Sequence, residues 1–207
     1  VPALDGLLPH GGLPRGRVTE WVATRSGGSA TLLRALVRET LGRDGAGAAV
    51  GLVDAGRTLA ADDWVEAAQE PGLTVVRPHT PDDGPWCAEI LLRTGAFALV
   101  VLDGVAVSAP MAPRLAHRVR EAGCAFLVIR PDVGPFRPNG HSGAALRVAL
   151  RPAAATPDNL RRITATLVKG GPHAEVELRC VPAPSHRLCA HPLVPDRRGG
   201  ARRGRSW

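Results

Sequence analysis

The sequence is short of aromatic residues and of lysine. It contains four Trp, three Phe and no Tyr, and Lys169 is the single lysine among its 26 basic residues. The core must therefore be built mainly from Leu, Val and Ala, which supply most of the 44% of hydrophobic residues. At 207 residues, the chain is long enough for one domain with a full core, with or without a tail.

The features of an exported or membrane protein are also missing from the sequence. No apolar run approaches the roughly 18 residues of a membrane span, and no secretory signal peptide is visible. The four cysteines form no CxxC pair, which fits reduced thiols better than a disulfide framework; they are Cys87, Cys124, Cys180 and Cys189. These observations predict a cytoplasmic protein that does not bind membranes.

One group of metal-binding residue types occurs late in the sequence. It comprises Cys180, His186, Cys189 and His191. Their spacing matches no usual zinc finger, and prolines interrupt the segment. We therefore predict a loop with incidental Cys and His residues, and neither a metal nor a cofactor.

The net charge of +7 is unevenly distributed. Residues 196–207, "DRRGGARRGRSW", carry five Arg and one Asp, which is +4, and subtraction from +7 leaves +3 for residues 1–195. A basic segment of this kind favours contact with nucleic acid or with an acidic partner, and a solubilising disordered end is the alternative. The candidate contact residues are Arg197, Arg198, Arg202, Arg203, Arg205 and Trp207.

Strand-like and helix-like segments alternate over most of the chain. Continuous apolar runs such as "LVVL" indicate strands buried on both faces, and the alternation predicts a mostly parallel sheet covered by helices. The predicted strands are 17–22, 48–54, 72–77, 97–103 and 124–130, and the predicted helices lie near 29–41, 61–70, 86–94 and 111–122.

The pattern changes in the last third of the chain. Three strand-like segments follow one another without a helix, at 143–151, 160–169 and 173–181, and "KGGP" at 169–172 predicts a tight turn. We interpret them as a β-hairpin region that extends the sheet at one edge. Beyond Pro182, Pro, Arg and Gly dominate, so we predict a core over 1–183 and a disordered tail over 184–207.

The segment "ATRSGGSATLLRALV", residues 23–37, has the form of a phosphate-binding loop that has lost its chemistry. It lies between a predicted strand and a predicted helix. Such loops normally end Gly-Lys-Ser/Thr, where the lysine reaches the phosphates and the hydroxyl holds Mg²⁺. The loop positions here are Ser26, Gly27, Gly28, Ser29 and Ala30.

Four segments in order resemble the RecA family. "LDGLLPHGGLPRGRVTEWV" (4–22) is similar to the start of that family's ATPase core, and "VGLVDAGRTL" (50–59) to the strand that ends Asp-Ala-Glu. "RTGAFALVVLDGVAV" (93–107) resembles its Walker B strand, and "FRPNGHSGAALRVALR" (136–151) resembles the segment with the second DNA-binding loop. The resemblance covers about residues 4–180 and implies an α/β, RecA-like P-loop-type core.

The departures from the RecA pattern concern the catalytic positions. The resemblance places the family's Lys and Thr at Ser29 and Ala30, and its catalytic Glu at Gly56; Asp103 persists at the Walker B position. Phosphoryl transfer depends on positioning and charge neutralisation, so we predict that the protein does not hydrolyse ATP. The alternative interpretation of Asp103 is that it only caps the end of a strand.

Within this superfamily the sequence most resembles ImuA, the RecA-like partner in damage-induced mutagenesis. The resemblance implies a non-catalytic accessory protein of translesion synthesis that binds an ImuB-like Y-family protein and RecA, and serves an error-prone replicative-type polymerase indirectly. The sequence starts just before the core, so we expect no N-terminal arm of the kind that joins RecA filaments. The alternatives are a SulA-like cell-division inhibitor that binds FtsZ and an active DNA-dependent ATPase.

Contact with single-stranded DNA is a further expectation that the resemblance raises. In the RecA family the loop near 131–143 contacts the DNA backbone, and the segment here offers Arg130, Arg137 and His141. Phosphate contacts by Arg are independent of sequence and sensitive to salt. A solvent-exposed loop is the alternative interpretation of the same residues.

Overall fold

The computed structural model describes residues 2–24, 27–43, 48–60, 64, 72–132, 143–153 and 161–180. Four α-helices, one 3₁₀ turn and eight strands occur in these ranges. They are α1 (Pro2–Leu7), β1 (Val18–Ala23), α2 (Ser29–Arg43), β2 (Ala49–Asp54), β3 (Leu73–Val76), the 3₁₀ turn (Pro81–Asp83), α3 (Gly84–Thr94), β4 (Phe97–Asp103), α4 (Met111–Ala122), β5 (Ala125–Pro131), β6 (Leu146–Pro152), β7 (Arg161–Lys169) and β8 (Ala174–Cys180).

The eight strands form one sheet in the order β3-β2-β4-β5-β1-β6-β7-β8. The first six are parallel, and β7 and β8 are added antiparallel at one edge. The predicted α/β fold, a mostly parallel sheet with a hairpin extension, is therefore confirmed. Because parallel strands end at the same edge of the sheet, the segments after β1, β2 and β4 meet there.

Helices cover the two faces of the sheet and define two buried clusters. On one face, α1 and α2 pack against a cluster that includes Trp21, Leu33 and Leu127. On the other face, α3 and α4 pack against a cluster that includes Leu92 and Phe126. The burial follows from the sequence, because side chains of the central strands alternate between two covered faces and both sets are apolar.

Most predicted elements agree with the observed ones to within one or two residues. The largest shift at a strand is at 143–151, where β6 starts at Leu146. Most of the helix predicted at 61–70, and the whole tail predicted at 184–207, lie outside the described residues. Helix α1 was not predicted, because six residues are too few for a periodic apolar pattern. Each helix in the described part of the chain is too short or too polar to cross a membrane.

Candidate functional site

The candidate site lies at the edge of the sheet where β1, β2 and β4 end. The loop after β1 leads into α2, and Asp54 and Asp103 are the last residues of the neighbouring strands β2 and β4. The two aspartates are paired in register. The topology therefore places the loop after β1, Asp103 and Gly56 at the same edge of the sheet.

The loop after β1 has its own internal hydrogen bonds. The N–H of Gly27 donates to the carbonyl of Thr24 at 2.8 Å, and the N–H of Leu32 donates to the carbonyl of Gly28 at 3.1 Å. A phosphate loop works by pointing free N–H groups at the anion. The Gly27 N–H is turned into the loop instead, and Arg25 and Ser26 lie outside the described residues.

The side chain of Ile163 on β7 packs directly against the loop. A Cβ atom at Gly28 would lie 2.6 Å from Cγ1 of Ile163 and closer still to its Cδ1. Ile163 is fully buried, and Gly28 has φ +75. The hairpin that extends the sheet therefore fills the space beside the loop with a branched apolar side chain.

Ser29 and Ala30 occupy the first turn of α2. Ser29 is half-buried and Ala30 is exposed, so neither is locked away from the loop. The chemistry is what differs, because a hydroxymethyl and a methyl group replace an ammonium and a magnesium-binding hydroxyl. Among the described residues of this turn, the groups that could meet an anion are backbone N–H groups, the helix N-terminus and the Ser29 hydroxyl.

Asp54 is completely buried, and its carboxylate is paired with an arginine side chain. Its Oδ2 accepts a hydrogen bond from Nε of Arg77 at 2.9 Å, and its Oδ1 accepts one from the N–H of Thr58 at 2.9 Å. Arg77, which is 48% exposed, also donates to the carbonyl of Leu59. One guanidinium thus ties the end of β2 to the chain that follows β3.

Asp103 is 8% exposed, and its carboxylate accepts a hydrogen bond from a side chain. The hydroxyl of Thr58 donates to its Oδ2 at 2.7 Å. Burial raises the pKa of the Asp103 carboxyl, the Thr58 hydrogen bond opposes that rise, and the nearby Asp54 charge adds to it. The residue at the Walker B position is therefore part of a polar cluster, Asp54, Thr58, Arg77 and Asp103, whose members bind one another.

The backbone at Gly56 is in close contact with the backbone at Gly104. A Cβ atom at Gly104 would lie 2.5 Å from Cα of Gly56, and one at Gly56 would lie 3.0 Å from Cα of Gly104. Gly104 also has φ +87. The two segments that follow β2 and β4 approach so closely that Gly56, where the sequence resemblance places a catalytic Glu, has little room for a side chain.

The two aspartates are expected to respond differently to neutral replacement. Asp54→Asn removes the charge that pairs with Arg77 and is expected to cost about 1–2 kcal/mol at pH 7. Asp103→Asn keeps an oxygen acceptor for Thr58 and removes a charge that burial disfavours. We therefore expect it to be at least as stable as the wild type at pH 7, as measured by urea denaturation.

The difference in stability between Asp103→Asn and the wild type should depend on pH, because the pKa of the Asp103 carboxyl is raised in the folded protein. The folded state binds this proton more tightly than the unfolded state, whose Asp pKa is about 3.9. The stabilising effect of protonated Asp103 is therefore lost as pH rises from about 3.9 through the folded pKa. The advantage of Asp103→Asn should disappear below about pH 4. Equal losses for the two variants at pH 7 would contradict this account.

Arg130, a predicted DNA or partner contact, is held by an internal ion pair. Its Nε donates to Glu20 at 2.8 Å, and its side chain is only 18% exposed. Glu20 is buried and also accepts a hydrogen bond from Arg147 on β6. Arg130 therefore offers less free guanidinium than its position beside the loop suggested. Arg137, His141 and the tail residues 196–207 lie outside the described residues.

Arginines that were not singled out from the sequence lie on the same sheet face as Glu20. Leu150, Ile163 and Leu178 point into the opposite cluster, so the alternating neighbours Arg151, Arg162 and Arg179 point to the Glu20 face. Arg162 donates to Glu177, and Arg151 and Arg179 are exposed. The signal was present in the sequence as Arg alternating with apolar residues.

The site holds no recognisable metal centre within the described ranges, and a cavity lies elsewhere in the fold. Among the described residues, no three His, Cys, Asp or Glu side chains are grouped to bind a metal ion. A cavity of about 280 Å³ lies at the opposite end of the sheet, between α2 and the start of β4 and β5, lined in part by Leu13, Leu36 and Leu99. Its lining shares no residue with the polar cluster.

Comparison with known proteins gives one family and a set of relatives. Residues 6–134 match the family described as MT3502 N-terminal domain. The chain is similar to Protein RecA of Thermus thermophilus, with 36% identity over 110 residues, and to Protein RecA of Deinococcus radiodurans, with 36% identity over 113 residues. Protein RecA of Mycobacterium tuberculosis is 35% identical over 111 residues.

The matches to RecA are partial on both sides. Each covers 53% of this chain, and they cover 32% of the Thermus protein, 30% of the Deinococcus protein and 14% of the Mycobacterium protein. The chain thus matches about a third or less of the length of these relatives. Their similarity, together with the fold, makes the chain RecA-like.

Proposed function

The chain belongs to the MT3502 N-terminal domain family and is RecA-like, and on that premise we propose that it is a non-catalytic accessory protein of the ImuA type. It acts in damage-induced translesion synthesis through protein contacts. Its RecA-like core is used for its shape and surface, and no nucleotide is turned over at the former site.

The observation that carries this proposal is that polar groups at the ends of β1, β2 and β4 form hydrogen bonds and ion pairs with one another. Thr58 binds Asp103, Arg77 binds Asp54, and the Gly27 N–H is used inside its own loop. Restoring a hydrolytic site would require breaking these contacts as well as adding a lysine, a hydroxyl and a base. Loss of one preorganised group that stabilises transition-state charge costs about 100- to 1,000-fold in rate.

The sequence resemblance to ImuA supplies the partners of the proposal. We assign contact with an ImuB-like Y-family protein and with RecA, and through them with an error-prone replicative-type polymerase. Similarity to RecA supports the part of this that concerns a RecA-like surface. A protein that shares the RecA fold without the reaction is suited to bind proteins that recognise RecA or RecA-like surfaces.

An ATPase assay combined with a pull-down tests the proposal. ATP hydrolysis is measured with and without single-stranded DNA, with RecA from the same organism as the positive control. The pull-down compares an ImuB-type protein and RecA with FtsZ, which a SulA-like inhibitor would bind. We expect no turnover above background and retention of ImuB or RecA. Turnover near the RecA rate, or retention of FtsZ alone, would overturn the proposal.

DNA contact by the basic segment 196–207 is a separate part of the proposal with its own measurement. If all five arginines contact single-stranded DNA, deleting 196–207 should reduce the slope of log affinity against log salt by roughly 3 to 4 units, at about 0.7 per phosphate. If the segment serves a protein partner, the slope should stay and the pull-down should weaken. No change in either would exclude both roles.

A further inference from the structure

The first two turns of α3 carry an exposed apolar pair in a protein with few aromatic residues. Trp86 is 59% exposed and Ile90, one turn later, is 39% exposed. Residues four apart lie on one face of a helix, and the inward positions Ala88 and Leu92 are buried. Trp86 and Ile90 therefore form an outward-facing patch, which we call the α3 patch.

Acidic residues directly precede α3 in the chain. Asp82 and Asp83 in the 3₁₀ turn are exposed, and Asp83 accepts hydrogen bonds from the N–H and the hydroxyl of Thr80. Burial raises the pKa of the Cys87 thiol, and the Asp83 charge adds to that effect, so the negative potential reaches the first turn of α3. Arg93 lies about two helical turns from Trp86, on the far side of Ile90.

An exposed indole that follows exposed carboxylates by three or four residues offers two groups that arginine can bind. The guanidinium stacks on the face of an aromatic ring and donates to carboxylates through a planar fork, whereas lysine does the second only as a point charge. This chain carries 25 Arg for its one Lys. Five of them lie in residues 196–207, whose net charge is +4.

The geometry of the sheet puts that segment within reach. Gly84 packs against Ala55 and Val105, which follow β2 and β4, so α3 begins at the edge where the parallel strands end. Strand β8 runs in the same direction as β6 and ends at Cys180 on the same edge. Five strand spacings separate β8 from β4, or about 24 Å, and residues 181–195 can span up to about 50 Å.

We propose that the arginine-rich segment 196–207 docks on the α3 patch of its own chain, with arginine stacked on Trp86 and paired with Asp82. The segment itself lies outside the described residues. The assignment rests on the exposed α3 patch, on the opposite charges of the segment and of the aspartates that precede α3, and on the length of residues 181–195. This inference goes beyond the proposed function and does not depend on it, because it concerns the protein alone. Binding of DNA or of a partner by the segment would compete with the docking.

Fluorescence quenching in the full chain tests the docking. Trp21 and Trp64 are buried, so Trp207→Phe leaves Trp86 as the exposed indole that acrylamide reaches. In that background, changing the five tail arginines to Gln should increase the quenching constant about twofold, because the stacked guanidinium no longer covers the ring. Changing them to Lys should give an intermediate value, and about 1 M salt should abolish the difference.

Variants in the folded core separate docking from general charge effects. Asp82→Asn should raise quenching with the arginines intact, whereas Glu121→Gln on α4, which removes an exposed carboxylate elsewhere, should leave it unchanged. Equal quenching of the Arg and Gln tails would overturn the proposal. Protection that falls on tenfold dilution would overturn the intramolecular arrangement, because it would place the segment on a second copy.

Discussion

Replacing Gly28 with alanine is expected to destabilise the protein by about 2–5 kcal/mol. The new Cβ would lie 2.6 Å from Cγ1 of Ile163 and closer to its Cδ1, so the fully buried Ile163 side chain must leave its rotamer or β7 must shift. The backbone at Gly28 has φ +75, where any L side chain adds strain. Chemical denaturation of the purified variant measures the loss.

Gly95→Ala is the matched control for the backbone part of this effect. Gly95 has φ +65, and a Cβ there would meet no atom within 4 Å. Its cost should be limited to the left-handed conformation, about 1–2 kcal/mol. A Gly28→Ala variant no less stable than Gly95→Ala would show that Ile163 does not fill the space beside the loop.

A double-mutant cycle isolates the contact with Ile163. Ile163→Ala removes Cγ1 and Cδ1 and is itself expected to cost about 2–5 kcal/mol, because the side chain is fully buried. In that background Gly28→Ala should cost only the strain measured at Gly95. The two changes should therefore be strongly non-additive, as expected for residues in direct contact.

The strand framework could be predicted from the sequence because its central strands are buried on both faces. Runs such as "LVVL" in β4 and "AFLVI" in β5 have no other simple interpretation at that length. The parallel direction of most strands followed from the alternation with helices, and the hairpin followed from the "KGGP" turn, whereas the order of the strands was not predicted. Helix α1 escaped because its apolar residues occupy fewer than two turns.

The departures from the RecA pattern at Ser29, Ala30 and Gly56 are visible in the sequence itself, but the contacts around them in the structure could not be predicted. Ser29, Ala30 and Gly56 differ from the Lys, Thr and Glu of the RecA pattern, and such differences are visible in a sequence once the motif is aligned by its spacing. Ile163 contacts the Gly28 position from 135 residues further along the chain. Arg77 pairs with Asp54 from 23 residues further along. No local pattern marks such partners, because the contact is created by strand order and packing.

Arg130 is a residue whose structural partner the family pattern does not reveal. Its position next to a DNA-binding loop in the family pattern suggested an available guanidinium, whereas the buried Glu20 lies on the adjacent strand and pairs with it. A carboxylate in the middle of an apolar strand, "VTEWV", is itself a signal, because a buried charge requires a partner. Arginines on the two flanking strands provide it.

Restoring the nucleotide-binding side chains is expected to restore binding without restoring turnover. Ser29→Lys with Ala30→Thr supplies the charge and the magnesium-binding hydroxyl on the first turn of α2, where both positions are accessible. Hydrolysis also needs an activated water, and Gly56 provides no base. We expect tighter binding of ATP in a fluorescent-nucleotide titration, and a rate at least ~100-fold below that of RecA. Brisk hydrolysis by the double variant would refute the assignment of Gly56.

Adding Gly56→Glu to this pair supplies the missing carboxylate but meets the closed backbone. The new Cβ would lie 3.0 Å from Cα of Gly104 and 3.2 Å from Cγ2 of Thr58, so the segments after β2 and β4 must separate and the Thr58–Asp103 hydrogen bond is strained. We expect a loss of about 1–3 kcal/mol and still no RecA-like turnover. Gly42→Glu, where a Cβ meets open space, controls for the added charge and should cost nothing. A stable triple variant that hydrolyses ATP at the RecA rate would show that the site had lost its side chains without losing its shape.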